Sequence, residues 1–181
     1  MPPPDNDNPV DSQKPITAEG WLVWGQAKSD EGNYDQAIEA FSEVIWLKPD
    51  DVAAWLNRGN VYFDKADYDQ AIKDYSQAIK LAPGDAAVWM NRGGSYAEKG
   101  DIDQAIKDYS EAIKLAPDDA EAWFNRGNSY ADKGEYDQAI KDYSQTIKLA
   151  PDDADAWINR SDAYLRKGEY DQVIKDCREA I

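Results

Sequence analysis

The chain has 181 residues, 42% of them hydrophobic, which is enough to bury a substantial core. Its 20 basic and 36 acidic side chains leave a formal charge of -16, a field that repels nucleic acid and anionic membrane surfaces and attracts basic segments. No run of 18 apolar residues is present, so no membrane span is expected, and the single cysteine, Cys177, excludes an internal disulfide and fits a reducing, cytoplasmic setting.

Residues 1–17 come first. They hold five prolines and almost no large apolar side chain beyond Val10 and Ile16, so a disordered acidic tail is expected. The segment lacks the basic start and apolar centre of a secretory signal. Thr17 is placed to cap the first helix.

From residue 18 the chain repeats itself. Pro49, Pro83, Pro117 and Pro151 are 34 residues apart. Trp21, Trp55, Trp89, Trp123 and Trp157 keep the same interval, as do Gly25, Gly59, Gly93 and Gly127. The units are 18–51, 52–85, 86–119, 120–153 and 154–181. In the fourth, Trp123, Gly127 and Tyr130 fall on one face of a helix, and Ala139, Tyr143 and Ile147 on one face of a second. Lys133-Gly134 breaks the chain between them, Pro151 ends the second helix, and Asp153 caps the next, with Asp51, Asp85 and Asp119 in register. Gly127 and Ala139 are small enough for the two helices to approach closely. Each hairpin leaves an apolar face that its neighbour must cover. The last unit stops at Ile181 without a polar capping helix, so that end is expected to be covered by further chain or by another molecule.

One pairing emerges from aligning the units. Arg58, Arg92, Arg126 and Arg160 recur with Asp74, Asp108, Asp142 and Asp176, and unit one lacks both, carrying Trp24 and Ala40. A half-buried arginine needs a partner, so an ion pair within each hairpin is expected. Trp24 and Trp46 also mark unit one as deviant and are candidate contact surfaces. Cys177 aligns with Phe41, Tyr75, Tyr109 and Tyr143 and is expected in the core.

Residues for catalysis are missing. The chain has no histidine, hence no Ser-His or Cys-His pair, and no phosphate-binding glycine loop. No catalytic residue, cofactor or metal site is expected; the pairs Asp50-Asp51, Asp118-Asp119 and Asp152-Asp153 are read as helix caps rather than cation ligands.

The 34-residue period with its Trp, Gly, Tyr, Ala and Pro positions resembles the tetratricopeptide repeat family over about nine-tenths of the chain. The resemblance implies an all-α, right-handed α-solenoid of stacked antiparallel helix hairpins, whose first helices line a concave groove that binds protein. It places Leu56, Met90, Phe124 and Ile158, with Leu22, in an apolar groove stripe. Asp64, Glu98 and Asp132 lie among acidic residues around that stripe. It also implies a polar stripe of Asn57, Asn91, Asn125 and Asn159. Two readings of these asparagines stay open: a ladder gripping a peptide backbone, since an amide both donates and accepts, or hydrogen bonds to neighbouring helices. A subclass of the family clamps acidic chaperone tails with basic side chains, but the clamp positions here hold Leu22, Ala87 and Asn91, or Leu56, Glu121 and Asn125, or Met90, Asp155 and Asn159. That use is disfavoured. The expected function is a scaffold that binds a basic peptide with apolar anchors. The alternatives are a module that self-assembles through Trp24, Trp46 or the Ile181 end, or the scaffold portion of a larger protein.

Overall fold

The computed structural model describes residues 14–179, and these form ten α-helices. The first hairpin comprises α1 (Ala18–Asp30) and α2 (Tyr34–Leu47), the second α3 (Val52–Asp64) and α4 (Tyr68–Leu81). The third is α5 (Ala86–Glu98) with α6 (Ile102–Leu115), the fourth α7 (Ala120–Asp132) with α8 (Tyr136–Leu149), and the fifth α9 (Ala154–Lys167) with α10 (Tyr170–Glu179). Each helix packs on the next in sequence, giving the all-α solenoid expected from the period. No helix among the described residues is long and apolar enough to cross a membrane. Ile181 and most of the expected tail lie outside the described residues.

The helix boundaries follow the punctuation of the sequence. Thr17 Oγ1 accepts from the Gly20 amide at 3.1 Å. Asp51, Asp85, Asp119 and Asp153 accept from amides in the first turns of α3, α5, α7 and α9 at 3.0–3.2 Å. These bonds satisfy donors that a helix start leaves without an intrahelical partner. Between the helices of four hairpins the chain turns through Gly32, Gly100, Gly134 and Gly168 at φ of 74–85°. The second hairpin has Ala66 there, at φ 57°. A Cβ in the left-handed region costs about 1–2 kcal/mol, partly offset by the greater unfolded-state freedom of glycine. Ala66→Gly should therefore raise stability by about 1 kcal/mol in urea titrations; a loss would contradict the turn geometry.

The helices of a hairpin approach most closely where glycine meets an aromatic ring. A Cβ built on Gly59, Gly93 or Gly127 would sit 2.7–2.8 Å from Cε1 of Tyr75, Tyr109 or Tyr143. In the fifth hairpin the large partner has shrunk and the small one has grown: Ser161 faces Cys177, Oγ to Sγ at 3.4 Å. Cys177 is exposed and does not belong to the core as expected. Its short side chain leaves the surface where Tyr143 fills it, and among the described residues no further hairpin covers it.

The arginine pairs form in all four hairpins that carry them. Arg58, Arg92, Arg126 and Arg160 each hold the aspartate of their own hairpin through Nε and Nη2 at 2.6–2.9 Å. The aspartates are buried. The third contact crosses between repeats: Nη1 donates to Ser42, Ser76, Ser110 or Ser144 of the preceding hairpin at 2.9–3.1 Å. Each guanidinium also lies over a tryptophan ring of its own helix, at 4.8–5.0 Å from the centroid. Burial pulls the pKa of Arg58, Arg92 and Arg126 down, but the aspartate's hydrogen bonds and charge outweigh it, and the pKa ends above its usual value. In unit one Trp24 occupies the arginine position. It is not an exposed contact surface: it packs into the first core cluster, edge-on to Trp21 at 5.5 Å, because an indole needs no charged partner. Trp46, by contrast, is 76% exposed.

Two further contacts repeat with the 34-residue period. The indole N–H of Trp55, Trp89, Trp123 and Trp157 donates to the carbonyl of Pro49, Pro83, Pro117 and Pro151 at 2.9–3.0 Å, fixing each inter-repeat turn. Lys65, Lys99, Lys133 and Lys167 reach back to Asp35, Asp69, Asp103 and Asp137 at 2.5–2.9 Å. These pairs are exposed, and solvent screens them.

Candidate functional site

First helices of successive hairpins touch one another, α1 with α3, α3 with α5, α5 with α7 and α7 with α9, whereas successive second helices do not. The first helices therefore form the inner, concave side. Over α3, α5 and α7 that side hollows into a cavity of about 700 Å³.

Its lining carries five carboxylates, Asp64, Glu98, Asp119, Glu121 and Asp132, and no lysine or arginine. Met90, Phe63, Ala87 and Ala97 supply apolar surface, and Asn91 and Asn125 supply amides. Of the residues singled out from sequence, Asp64, Met90, Asn91, Glu98, Asn125 and Asp132 thus come together. Leu56 and Phe124 do not join the lining. Leu56 packs on the core of the second hairpin and Phe124 on that of the fourth, with its ring 5.9 Å from that of Tyr143, as Met90 also packs on a core cluster while lining the cavity. Ile158 is 54% exposed and, with Asn57 and Asn159, lies outside the cavity.

The asparagines are not equivalent. Asn60 Oδ1 accepts from the Tyr75 hydroxyl at 2.8 Å and from Asn91 Nδ2 of the next repeat at 3.1 Å. Asn128 Oδ1 does the same for Tyr143 and Asn159, at 2.8 and 3.0 Å. Asn91 and Asn159 thus bond to neighbouring helices. The third hairpin breaks the series, because Gly94 stands where Asn60 and Asn128 stand. Neither the Tyr109 hydroxyl nor the Asn125 amide has a hydrogen-bond partner among the described residues, and both line the cavity. Burial first, and then the charges of Glu98, Glu121 and Asp108, push the Tyr109 phenol up to about 12. Sequence reasoning missed Asn60, Gly94, Tyr109 and Asn128. The signal that could have found them is the column Gln26, Asn60, Gly94, Asn128 and Asp162, in which only Gly94 lacks a side chain.

Comparison with known proteins fits this architecture. A family profile described as the cilia and flagella-associated protein 70 C-terminal domain matches residues 8–125. Two tetratricopeptide repeat profiles match residues 120–153 and 154–181. No curated protein matches the chain in sequence. Two solved structures of MamA are similar. One is 28% identical with a TM-score of 0.86, over 90% of this chain and 89% of that one. The other is 29% identical with a TM-score of 0.84, over 86% and 91%. YrrB, described as a tetratricopeptide protein with an unusual peptide-binding site, shares the fold at 21% identity and a TM-score of 0.79, over 91% of this chain and 85% of that one. By its period, its stacked hairpins and these matches, the chain belongs to the tetratricopeptide repeat family.

Proposed function

We propose that the concave cavity over α3, α5 and α7 holds a peptide segment of a partner protein, with Lys or Arg flanking apolar side chains. Tetratricopeptide arrays are protein-interaction scaffolds, and function resides in the groove rather than in the fold. The observation that carries the reading is the composition of the lining: five carboxylates without a cation, around Met90 and Phe63. The carboxylates attract a basic segment and speed its encounter, and the apolar floor supplies contact area. An acidic tail would be repelled. A micromolar complex needs about 8 kcal/mol, more than hydrogen bonds of about 0.5–1.5 kcal/mol each can supply alone, so burial at Met90 and Phe63 contributes.

Selection from a random heptapeptide display library on the immobilised protein tests this. Lys- and Arg-containing peptides should be enriched. Glu98→Lys with Asp132→Lys, both on exposed positions, should weaken the selected peptide at least tenfold, and so should raising salt. Enrichment of acidic peptides, or affinity indifferent to the charge reversal, would sink the reading.

A second reading rests on α10. Tyr136 and Ile140 of α8 pack with Tyr143 against Ala163 of the next hairpin. Their counterparts Tyr170 and Ile174 are 65% and 53% exposed, beside exposed Cys177. This face has the register that inner repeats use for stacking, so it suits another hairpin, including one from a second copy. Light scattering should then report a concentration-dependent dimer that Ile174→Lys abolishes; a monomer at millimolar concentration would exclude it.

A further inference from the structure

The break in the asparagine series points to a specific subsite. We infer that Gly94 opens a notch that receives the carboxamide of an Asn or Gln side chain on the bound peptide, a role that deepens the groove reading and rests on it.

The second and fourth hairpins show what the notch lacks. There, one carboxamide oxygen accepts two hydrogen bonds, from the tyrosine of its own hairpin and from the asparagine of the next repeat. In the third hairpin both donor groups are present without that oxygen. Tyr109 is only 4% exposed, and its hydroxyl, which solvent reaches from the cavity, has no partner among the described residues. The hydroxyl is aimed at the gap: a Cβ built on Gly94 would lie 3.8 Å from it and 3.9 Å from Phe63 Cε2. The gap therefore opens on the cavity and is bounded by Phe63, Tyr109 and Asn125. It is vacated by one asparagine side chain, so it is sized for a carboxamide.

Chemistry narrows the occupant. An ammonium or guanidinium group offers no acceptor to the hydroxyl and amide donors. A carboxylate offers one but meets Glu98 and Glu121, whose charges already raise the Tyr109 phenol pKa. A neutral carbonyl oxygen accepts both bonds without repulsion. Discrimination should be sharp, because a peptide lacking the acceptor would shut the Tyr109 hydroxyl away from water with no partner.

Gly94→Asn is the decisive variant. No neighbouring helix comes closer than 3.8 Å to the new Cβ, and Asn60 and Asn128 hold the equivalent place in their hairpins, so the side chain should restore the bonding seen there. The melting temperature should stay level or rise, since a helix-interior glycine is also removed. Heptapeptide display is run in parallel on the wild type and on Gly94→Asn. Peptides enriched only on the wild type should carry Asn or Gln at one aligned position, flanked by Lys or Arg. The best of them, synthesised and titrated calorimetrically, should bind Gly94→Asn at least tenfold more weakly, and replacing its Asn or Gln with Leu or Glu should cost a similar factor. Tyr109→Phe, which removes one oxygen, should weaken it severalfold and serves if Gly94→Asn does not fold. Equal binding to the wild type and to the folded variants, or Lys, Arg, Asp or Glu at the aligned position, overturns the notch while leaving the groove standing. Peptides insensitive to charge reversal at Glu98 and Asp132 overturn the groove and the notch together.

Discussion

Replacing Asp108 with alanine is expected to lower the unfolding free energy by about 3–5 kcal/mol, the loss typical when one partner of a buried ion pair is removed. The Asp108 side chain is 5% exposed and binds Arg92 through both oxygens. Without it, the guanidinium keeps Ser76 and the Trp89 face but remains half-buried with its charge uncompensated. Because Arg92 ties its own hairpin to the preceding one, the damage should spread to the interface between α4 and α5. Replacing Arg92 and Asp108 together with leucine should cost much less, since a well-packed apolar pair of similar volume is often neutral. Urea unfolding of the single and double variants checks both statements. A loss under about 1 kcal/mol for Asp108→Ala would show that the pair is too well solvated to matter.

Alkaline pH should unfold the array through its buried tyrosines. Burial is the main cause that raises the pKa of Tyr75, Tyr109 and Tyr143, with Tyr109 at about 12 against an ordinary value of 10.0. A phenol raised in the folded state binds its proton more tightly there. Its contribution is fully present below pH 10 and is lost as pH climbs through 10 towards 12. For Tyr109 alone the rise in pKa is worth on the order of 2–3 kcal/mol. Three such groups together remove a substantial part of a typical domain's stability. Melting temperatures recorded from pH 8 to pH 11.5 should be flat up to about pH 10 and then fall steeply. The triple variant Tyr75→Phe, Tyr109→Phe, Tyr143→Phe should be less stable at neutral pH but have a shallower alkaline slope. An unchanged slope would assign the alkaline transition to other groups.

The fold was legible because the 34-residue period is carried by residues with single roles. Aspartates cap, glycines turn or admit a ring, and prolines end helices, each at one register position. The Arg–Asp pairs were legible for a different reason: Trp24 and Ala40 remove both partners together in unit one. Their third contact was not, because Ser42, Ser76, Ser110 and Ser144 occur in every preceding hairpin and nothing in a sequence says which helix they face. Cys177 misled because alignment gives a position but not its cover. The phenols at that position lie over a glycine, whereas Cys177 meets Ser161 and leaves the surface open. The candidate site was half legible. Met90, Asn91, Asn125 and the acids follow from helix register; Leu56 and Phe124 share the register of Met90 and, like it, pack on a core cluster, but lie outside the cavity. Gly94 was visible as a break in a column. Its meaning depends on Tyr109 from one helix and Asn125 from the next repeat meeting at one point, which only packing shows.

The most direct measurement is backbone and side-chain amide NMR of the labelled protein titrated with the peptide selected on it. If the concave face is the binding surface, shifts should concentrate on α3, α5 and α7, with the Asn125 side-chain amide among the largest, and the outer faces of α4, α6 and α8 should stay silent. Shifts confined to the second helices, or to the exposed face of α10, would place the partner elsewhere and contradict the account.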